Sequence, residues 1–171
     1  MLSAFLTGVV MFAASGGGRE IVRNGGIVRF VVPAAWVESQ DDDGTPVYFA
    51  ERENSGALRL SLTTFKSPTQ VTEASAQEIL VGLRGIAPDS IRVLPNGNAV
   101  ATQTSRAEDD GTPIVTYWWY IANPVRPSHV RLAVFSFTIE ADGAPTSEDV
   151  RELEFLASHL PDAHFHPALG E

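Results

Sequence analysis

Apolar and polar residues alternate along most of the chain from Arg19 onward, and a period of two is typical of β-strands. The clearest example is residues 57–65, which read ALRLSLTTF and place leucines on one side and polar residues on the other. This alternation predicts a sheet with one face in a core and the other in water. Residues 130–139 are apolar on both sides for part of their length, which predicts a central strand. Further strands are predicted at residues 27–32, 46–52, 90–94, 98–104, 113–122 and 164–167.

The spacing of apolar residues changes to that of an α-helix over residues 72–84. A capping box of Ser75 with Glu78 predicts where this helix begins, and Thr72 is the alternative N-cap. Gly85 stands where a helix commonly ends, because glycine readily adopts the left-handed conformation found there.

A second helix is predicted over residues 147–160, with Thr146 as its N-cap and Asp149 three residues on. Together these elements predict a single α+β domain at residues 19–171, a mostly antiparallel β-sheet with helices packed on it. The predicted buried stripe of the second helix consists of Val150, Leu153, Ala157 and Leu160.

The sequence Asp-Asp-Gly-Thr-Pro occurs twice, at residues 42–46 and 109–113, each time before an aromatic-rich strand. Asp-Gly between strands predicts a β-hairpin, because glycine adopts the positive φ that such turns require. Neither site has the ligand spacing of a calcium loop, so both are predicted to be exposed hairpin tips. Their acidic clusters are candidate binding residues: Asp41, Asp42, Asp43, Glu108, Asp109 and Asp110.

The N-terminal segment, residues 1–18, contains an apolar run from Ala4 to Ala14 that is too short to span a membrane. Its length and the small residues before Gly16 fit a secretory signal peptide, but no basic residue precedes Arg19. The other interpretation is a terminal structural element. We therefore expect a cytoplasmic protein, or an exported, periplasmic one if residues 1–15 are a signal peptide.

The charge balance and the missing cysteines exclude several functions. With 12 basic and 21 acidic residues the net charge is −9, which argues against nucleic acid or an anionic lipid surface as partner. The chain has no cysteine, which excludes disulfides, iron–sulfur clusters and thiol catalysis. His164 and His166 alone are too few ligands for a metal site. No metal and no cofactor is predicted.

The richest feature is the run Tyr117, Trp118, Trp119 and Tyr120, which places a tyrosine and a tryptophan on each face of one strand. One face can enter a core, and the other needs cover from a helix, a strand or a partner. These four aromatic residues are therefore candidate binding residues. No nucleophile motif such as G-x-S-x-G occurs, so no catalytic residues are predicted and an enzyme is disfavoured.

Three features occur in an order that resembles a known fold. Residues 31–37 read VVPAAWV, a strand that ends in proline with a tryptophan three residues on. The strand at 58–62 follows, and a C-terminal helix precedes a short strand containing Phe165. Over about residues 25–167 this order resembles the PsbP-like fold, which DcrB-like bacterial proteins and effector-associated chaperones of type VI secretion share. Its members are mostly non-catalytic, so the resemblance implies a binding module without naming its partner or supplying catalytic residues.

These observations predict a non-enzymatic protein-binding module: a chaperone, an immunity protein or an accessory protein of a secretion or envelope system. Eleven of the twelve basic residues are arginine, which suits a GC-rich bacterium. The expected partner is a protein with a basic rim and an apolar centre, and the oligomeric state stays open. The alternative is a small hydrolase or small-ligand-binding domain with its site in an aromatic groove.

Overall fold

A computed structural model describes residues 17–141 and 143–168 of the chain. The predicted N-terminal segment lies outside these residues except for Gly17 and Gly18, and so does the cleaved part of the signal-peptide hypothesis. Two α-helices are described, α1 (Glu73–Val81) and α2 (Ser147–His159), and neither is long and apolar enough to cross a membrane. The described strands are β1 (Gly18–Arg23), β2 (Val28–Pro33), β3 (Val37–Gln40), β4 (Pro46–Phe49), β5 (Ala57–Lys66), β6 (Arg92–Val93), β7 (Ala99–Asp109), β8 (Thr112–Val125), β9 (His129–Glu140) and β10 (His164–Phe165).

The strands form two antiparallel sheets. The larger sheet has the order β3-β4-β5-β9-β8-β7-β6, and the smaller sheet has the order β1-β2-β10. β9 lies in the middle of the larger sheet, in agreement with the apolar residues on both of its sides. The predicted α+β fold, a mostly antiparallel sheet with helices packed on it, is confirmed.

Successive residues of the larger sheet point to opposite faces, and the two faces are packed differently. We call the face that carries Leu58 and Trp119 the inner face, and the face that carries Arg59 and Trp118 the outer face. α2 and the smaller sheet cover the inner face and enclose the larger of two apolar clusters with it. α1 packs on β7, β8 and β9 at one end of the outer face, over the second cluster.

A polar clamp fastens α2 to the inner face. The ring of Trp36, the tryptophan of the VVPAAWV segment, stacks on Phe137 with centroids 5.7 Å apart, and its Nε1 donates to Glu152 Oε1 at 3.3 Å. Arg52 Nη2 lies 2.8 Å from both Asp149 Oδ1 and Glu152 Oε2. The loop between β4 and β5, which carries Arg52, is therefore joined to the helix by charge-assisted hydrogen bonds.

Both helices occur where the sequence predicts them, but α1 has different ends. Its capping box is not Ser75 with Glu78, since the backbone N–H of Thr72 donates to Ser75 Oγ at 3.0 Å and Thr72 is the N-cap. The helix reaches its C-cap at Gly82, where the chain tightens into a turn. Gly85 follows that turn at φ +86° and does not cap the helix.

α2 buries only part of the predicted stripe. Leu160 is fully buried and Leu153 packs against the inner apolar cluster, as predicted, and Leu156 is buried as well. In contrast, Val150 is 42% exposed and Ala157 is exposed. The reason is that Asp149 turns inward, where it binds Arg52, and this rotates the buried face of the helix away from Val150.

The alternation pattern misses β1 and β3. Each is short, and β3 has one apolar residue, so neither has a recognisable period. They form because neighbouring strands supply hydrogen-bonding partners: β1 pairs with β2, and β3 pairs with β4. Such strands depend on tertiary context more than on their own composition.

The inner face of β9 contains a buried arginine that the apolar pattern does not indicate. Arg131 is fully buried, and it donates hydrogen bonds to the carbonyl oxygens of His166 and Ala168. Burial lowers the pKa of Arg131. Its role is to fasten the chain that follows β10 to the larger sheet.

Candidate functional site

β8 presents its four aromatic residues alternately to the two faces, as predicted. Trp119 is 5% exposed and belongs to the inner apolar cluster, where Tyr117 packs against it. Trp118 and Tyr120 are half-buried on the outer face. The structure therefore separates the four candidate residues into a core pair and an outer pair.

The outer pair, Trp118 and Tyr120, forms a stacked arrangement that we call the aromatic shelf. The two ring centroids are 6.3 Å apart and the ring planes differ by 18°. Trp118 Nε1 donates to Ser105 Oγ at 2.9 Å, and Tyr120 Oη donates to Gln103 Oε1 at 3.2 Å. Because both acceptors belong to β7, the rings extend from β8 toward β7.

α1 covers only one end of the outer face, and the shelf lies at the border of the covered part. Tyr120 packs against the cluster beneath α1, and burial raises the pKa of its hydroxyl, which therefore stays protonated and donates. Among the described residues, Trp118 belongs to neither apolar cluster. The part of the outer face around Trp118 therefore offers aromatic surface. The polar residues that surround it are half-buried or exposed: Ser61, Ser105, Ser136 and Thr138.

A salt bridge joins the first acidic cluster to the outer face of the sheet. Arg59 lies in the cross-strand row of Trp118, two strands away, and its Nε is 2.7 Å from Asp41 Oδ2. The other residues of this cluster, Asp42 and Asp43, are exposed at the tip of the β3–β4 hairpin. Asp41 thus carries negative charge to the edge of the outer face, partly balanced by Arg59.

The second acidic cluster is exposed at the β7–β8 turn, where Glu108 and Asp109 end β7 and Asp110 lies in the turn. Asp110 and Gly111 have φ angles of +47° and +82°. The strand registers place this turn beside Glu140, whereas the β3–β4 tip points toward the opposite end of the sheet. Both hairpins are exposed as predicted, but the structure does not bring the two acidic clusters together.

Sequence reasoning missed the residues that hold the shelf, Gln103 and Ser105. Gln103 lies in the strand predicted at residues 98–104, and Ser105 follows directly after it. Their spacing of two would place them on one face of a longer strand, and this is the signal that was present in the sequence. The missing information is the register that sets them against Trp118 and Tyr120, because β7 and β8 pair along their whole length only in the folded sheet. That the four aromatic residues of β8 and the two acidic clusters bind a partner stays a prediction.

A cavity of about 660 Å³ lies at the far end of the sheet from the β7–β8 turn. Its lining includes Glu73, Asn123, Arg126 and Phe165, but none of the four aromatic residues of β8. The alternative of a ligand site in an aromatic groove stays a prediction. Within residues 17–141 and 143–168, no three His, Asp or Glu side chains are grouped to hold a metal ion.

Comparison with known proteins identifies the fold. No protein-family model matches the sequence, and no curated protein matches it. Among solved structures, the chain is similar to LpqN of Mycobacterium tuberculosis, described as involved in cell envelope biogenesis, at 11% identity and a TM-score of 0.57. That match covers 88% of this chain and 91% of LpqN.

Two further structures are similar. A protein of Bacteroides thetaiotaomicron matches at 15% identity and a TM-score of 0.56 over 87% of this chain, which spans about half of that protein, 48%. The solution structure of PsbP from the cyanobacterium Synechocystis matches at 10% identity and a TM-score of 0.41, over 94% of this chain and 99% of PsbP. The matches to LpqN and to the Bacteroides protein show a shared fold, and identities this low show the fold alone. PsbP is among the structures that match, as the resemblance in the order of elements implies.

Proposed function

We propose that this chain is a non-enzymatic protein-binding module of a bacterium, serving as a chaperone, an immunity protein or an accessory protein of a secretion or envelope system. The observation that carries the proposal is the aromatic shelf, where Trp118 is half-buried at the end of the outer face that α1 leaves uncovered. A large aromatic side chain ringed by polar residues is typical of an interface hot spot. The involvement of LpqN in cell envelope biogenesis is compatible with an envelope role.

The partner that fits this surface has an apolar centre and a basic rim. The apolar centre would cover the exposed part of Trp118, and the basic rim would meet the acidic residues at Asp41 and at the β7–β8 turn. A net charge of −9 attracts a basic partner over long range. Association should therefore slow as salt rises, because ions screen the attraction.

The test is affinity capture from the native bacterium with the purified protein, with Trp118→Ala, and with Val150→Ala as the matched control. Val150 is an exposed apolar residue on α2, on the other side of the sheet. We expect one protein, identified by mass spectrometry, to be captured by the parent and the control and largely lost with Trp118→Ala. Capture of the same protein by Trp118→Ala in undiminished amount would contradict the proposed site.

A further inference from the structure

β7 has a long free edge. β8 pairs with the whole of β7 on one side, but on the other side β6 pairs only with Ala99 and Val100. Of the strands formed by residues 17–141 and 143–168, none pairs with the rest of that side, residues 101–109. An unpaired edge presents backbone N–H and C=O groups with which another chain can form a ladder.

The β7–β8 turn determines which backbone groups point outward. Asp110 and Gly111 form a two-residue turn in which both φ angles are positive, as in type I′. Such a turn closes on a hydrogen-bonded pair, here Asp109 and Thr112, and hydrogen-bonded pairs then recur at every second residue. The N–H and C=O groups of the even-numbered residues in 102–108 therefore point away from β8.

The aromatic shelf lies beside this edge. Because Trp118 and Tyr120 donate hydrogen bonds to Ser105 and Gln103, their rings reach the outer-face side chains of β7, the strand whose other side is unpaired over residues 101–109. An added strand would place every second side chain on the outer face, next to the shelf. The faces of aromatic rings attract cationic side chains.

We propose that the free edge of β7 binds an extended segment of a partner protein as an additional strand, with Arg or Lys at alternate positions beside the aromatic shelf. This inference rests on the proposed function and names the conformation and chemistry of the bound segment. The edge favours a basic segment because Glu108, Asp109 and Asp110 lie at one end of it, whereas Arg106 is the one basic residue in 101–109. The same acidic residues and the net charge of −9 disfavour a second copy of this chain.

The test uses a labelled octapeptide in which Arg alternates with Thr, with both ends blocked, and fluorescence anisotropy to measure its affinity. Thr104→Pro removes one outward N–H in the middle of the edge, and an edge strand tolerates proline where the N–H faces solvent. Thr104→Ala is the matched control, since it changes the same exposed side chain and keeps the N–H. We expect Thr104→Pro to weaken binding at least about fivefold and Thr104→Ala to stay within about twofold of the parent.

A second peptide, N-methylated at alternate residues, tests the same ladder without changing the protein. We expect it to bind at least about fivefold more weakly than the parent peptide, and this arm decides the matter if Thr104→Pro does not fold. Equal affinity for the two peptides, or no binding of the parent peptide at about 1 mM, would overturn strand addition. So would a dimer in sedimentation experiments that Thr104→Pro converts to monomer, because a second copy would then occupy the edge.

Failure of this inference and failure of the proposed function give different results. If Trp118→Ala loses the captured partner while Thr104→Pro retains it, the outer face binds a protein but not through an added strand. If neither variant affects capture, the proposed function at this site fails as well. If both lose the partner while Thr104→Ala retains it, strand addition beside the shelf is supported.

Discussion

Each face of the larger sheet has a helix on its side of the molecule, but the inner face is covered more completely and buries larger side chains than the outer face. The inner face is closed by α2 and the smaller sheet, and its cluster includes large side chains such as Phe30, Trp119 and Phe135. Among the described residues, α1 and the segments that flank it cover one end of the outer face. The buried strand residues beneath them are three alanines and two larger side chains: Ala99, Ala101, Ala122, Val130 and Leu132. Since the hydrophobic free energy grows with the apolar area buried, the inner face should supply most of the stability and the outer face should be free to bind.

The largest expected effect on stability comes from the neighbouring tryptophans of β8, because Trp119 lies on the inner face and Trp118 lies on the outer face. Trp119→Ala removes a side chain that is 5% exposed and should lower the free energy of unfolding by about 3–5 kcal/mol. Trp118→Ala removes a half-buried side chain and its hydrogen bond to Ser105, and should cost about 1 kcal/mol. Urea unfolding of both variants measures the difference.

Equal losses in these two variants would break the comparison, because the outer face would then contribute to the core as much as the inner face. A loss well below about 1 kcal/mol for Trp118→Ala would sharpen it and would leave the variant fully folded for the capture experiment.

The next effect compares two arginines, one for each face. Arg52 on the inner side binds Asp149 and Glu152, whose side chains are 8% and 12% exposed. Arg52→Ala leaves two nearly buried carboxylates without their cation and should cost about 2–3 kcal/mol. Arg59→Ala on the outer face breaks a pair in which both side chains are more than a third exposed, and should cost less than about 1 kcal/mol. Thermal or urea unfolding of the two variants measures both losses, and a larger loss for Arg59→Ala would be contrary to the structure.

How much of the fold the sequence predicts depends on how long and how one-sided each strand is. β5, β8 and β9 are long and carry apolar residues at regular spacing, so their positions follow from periodicity alone. β1 and β3 have no such pattern, because what stabilises them is pairing with β2 and β4. The sequence also does not predict which helix covers which face of the larger sheet, because the apolar residues of α1 and α2 do not indicate the side on which each helix packs.

The two Asp-Asp-Gly-Thr-Pro segments also show what the sequence does not predict, because the same five residues form two different loops. In the first, the backbone N–H of Asp41 donates to Thr45 O at 2.9 Å, and β4 begins only at Pro46. In the second, the turn is just Asp110 and Gly111, and Thr112 already belongs to β8. The first loop leaves Asp41 free to bind Arg59, whereas the second continues a long ladder. Sequence therefore predicts that both are hairpins but not which turn each makes or what its acidic residues contact.

The smallest effect is a pH dependence that belongs to the inner face. Burial raises the pKa of Glu152 above its ordinary 4.5 despite the attraction of Arg52, so folding favours its protonated form. Burial also acts to raise the pKa of Asp149, but hydrogen bonds from Thr146 and Arg52 outweigh it and hold the pKa below its ordinary 3.8. The stability that Glu152 contributes is therefore full below its unfolded pKa and is lost as pH rises through its folded pKa, while that of Asp149 is lost as pH falls through its own folded pKa.

Urea unfolding of the parent, Glu152→Gln and Asp149→Asn between about pH 3 and pH 7 separates the two contributions. Relative to Glu152→Gln, the parent should gain stability as pH falls from neutral toward 4.5, because the folded protein takes up a proton at Glu152. Relative to Asp149→Asn, the parent should lose stability as pH falls below 3.8, because protonation removes the hydrogen bonds that favour the carboxylate. Trp118→Ala should leave both slopes unchanged, since its side chain lies on the other face. Slopes of the same sign for the two carboxyl variants would contradict the opposite pKa shifts of Glu152 and Asp149. A changed slope in Trp118→Ala would mean that the two faces are coupled and that the division of labour between them does not hold.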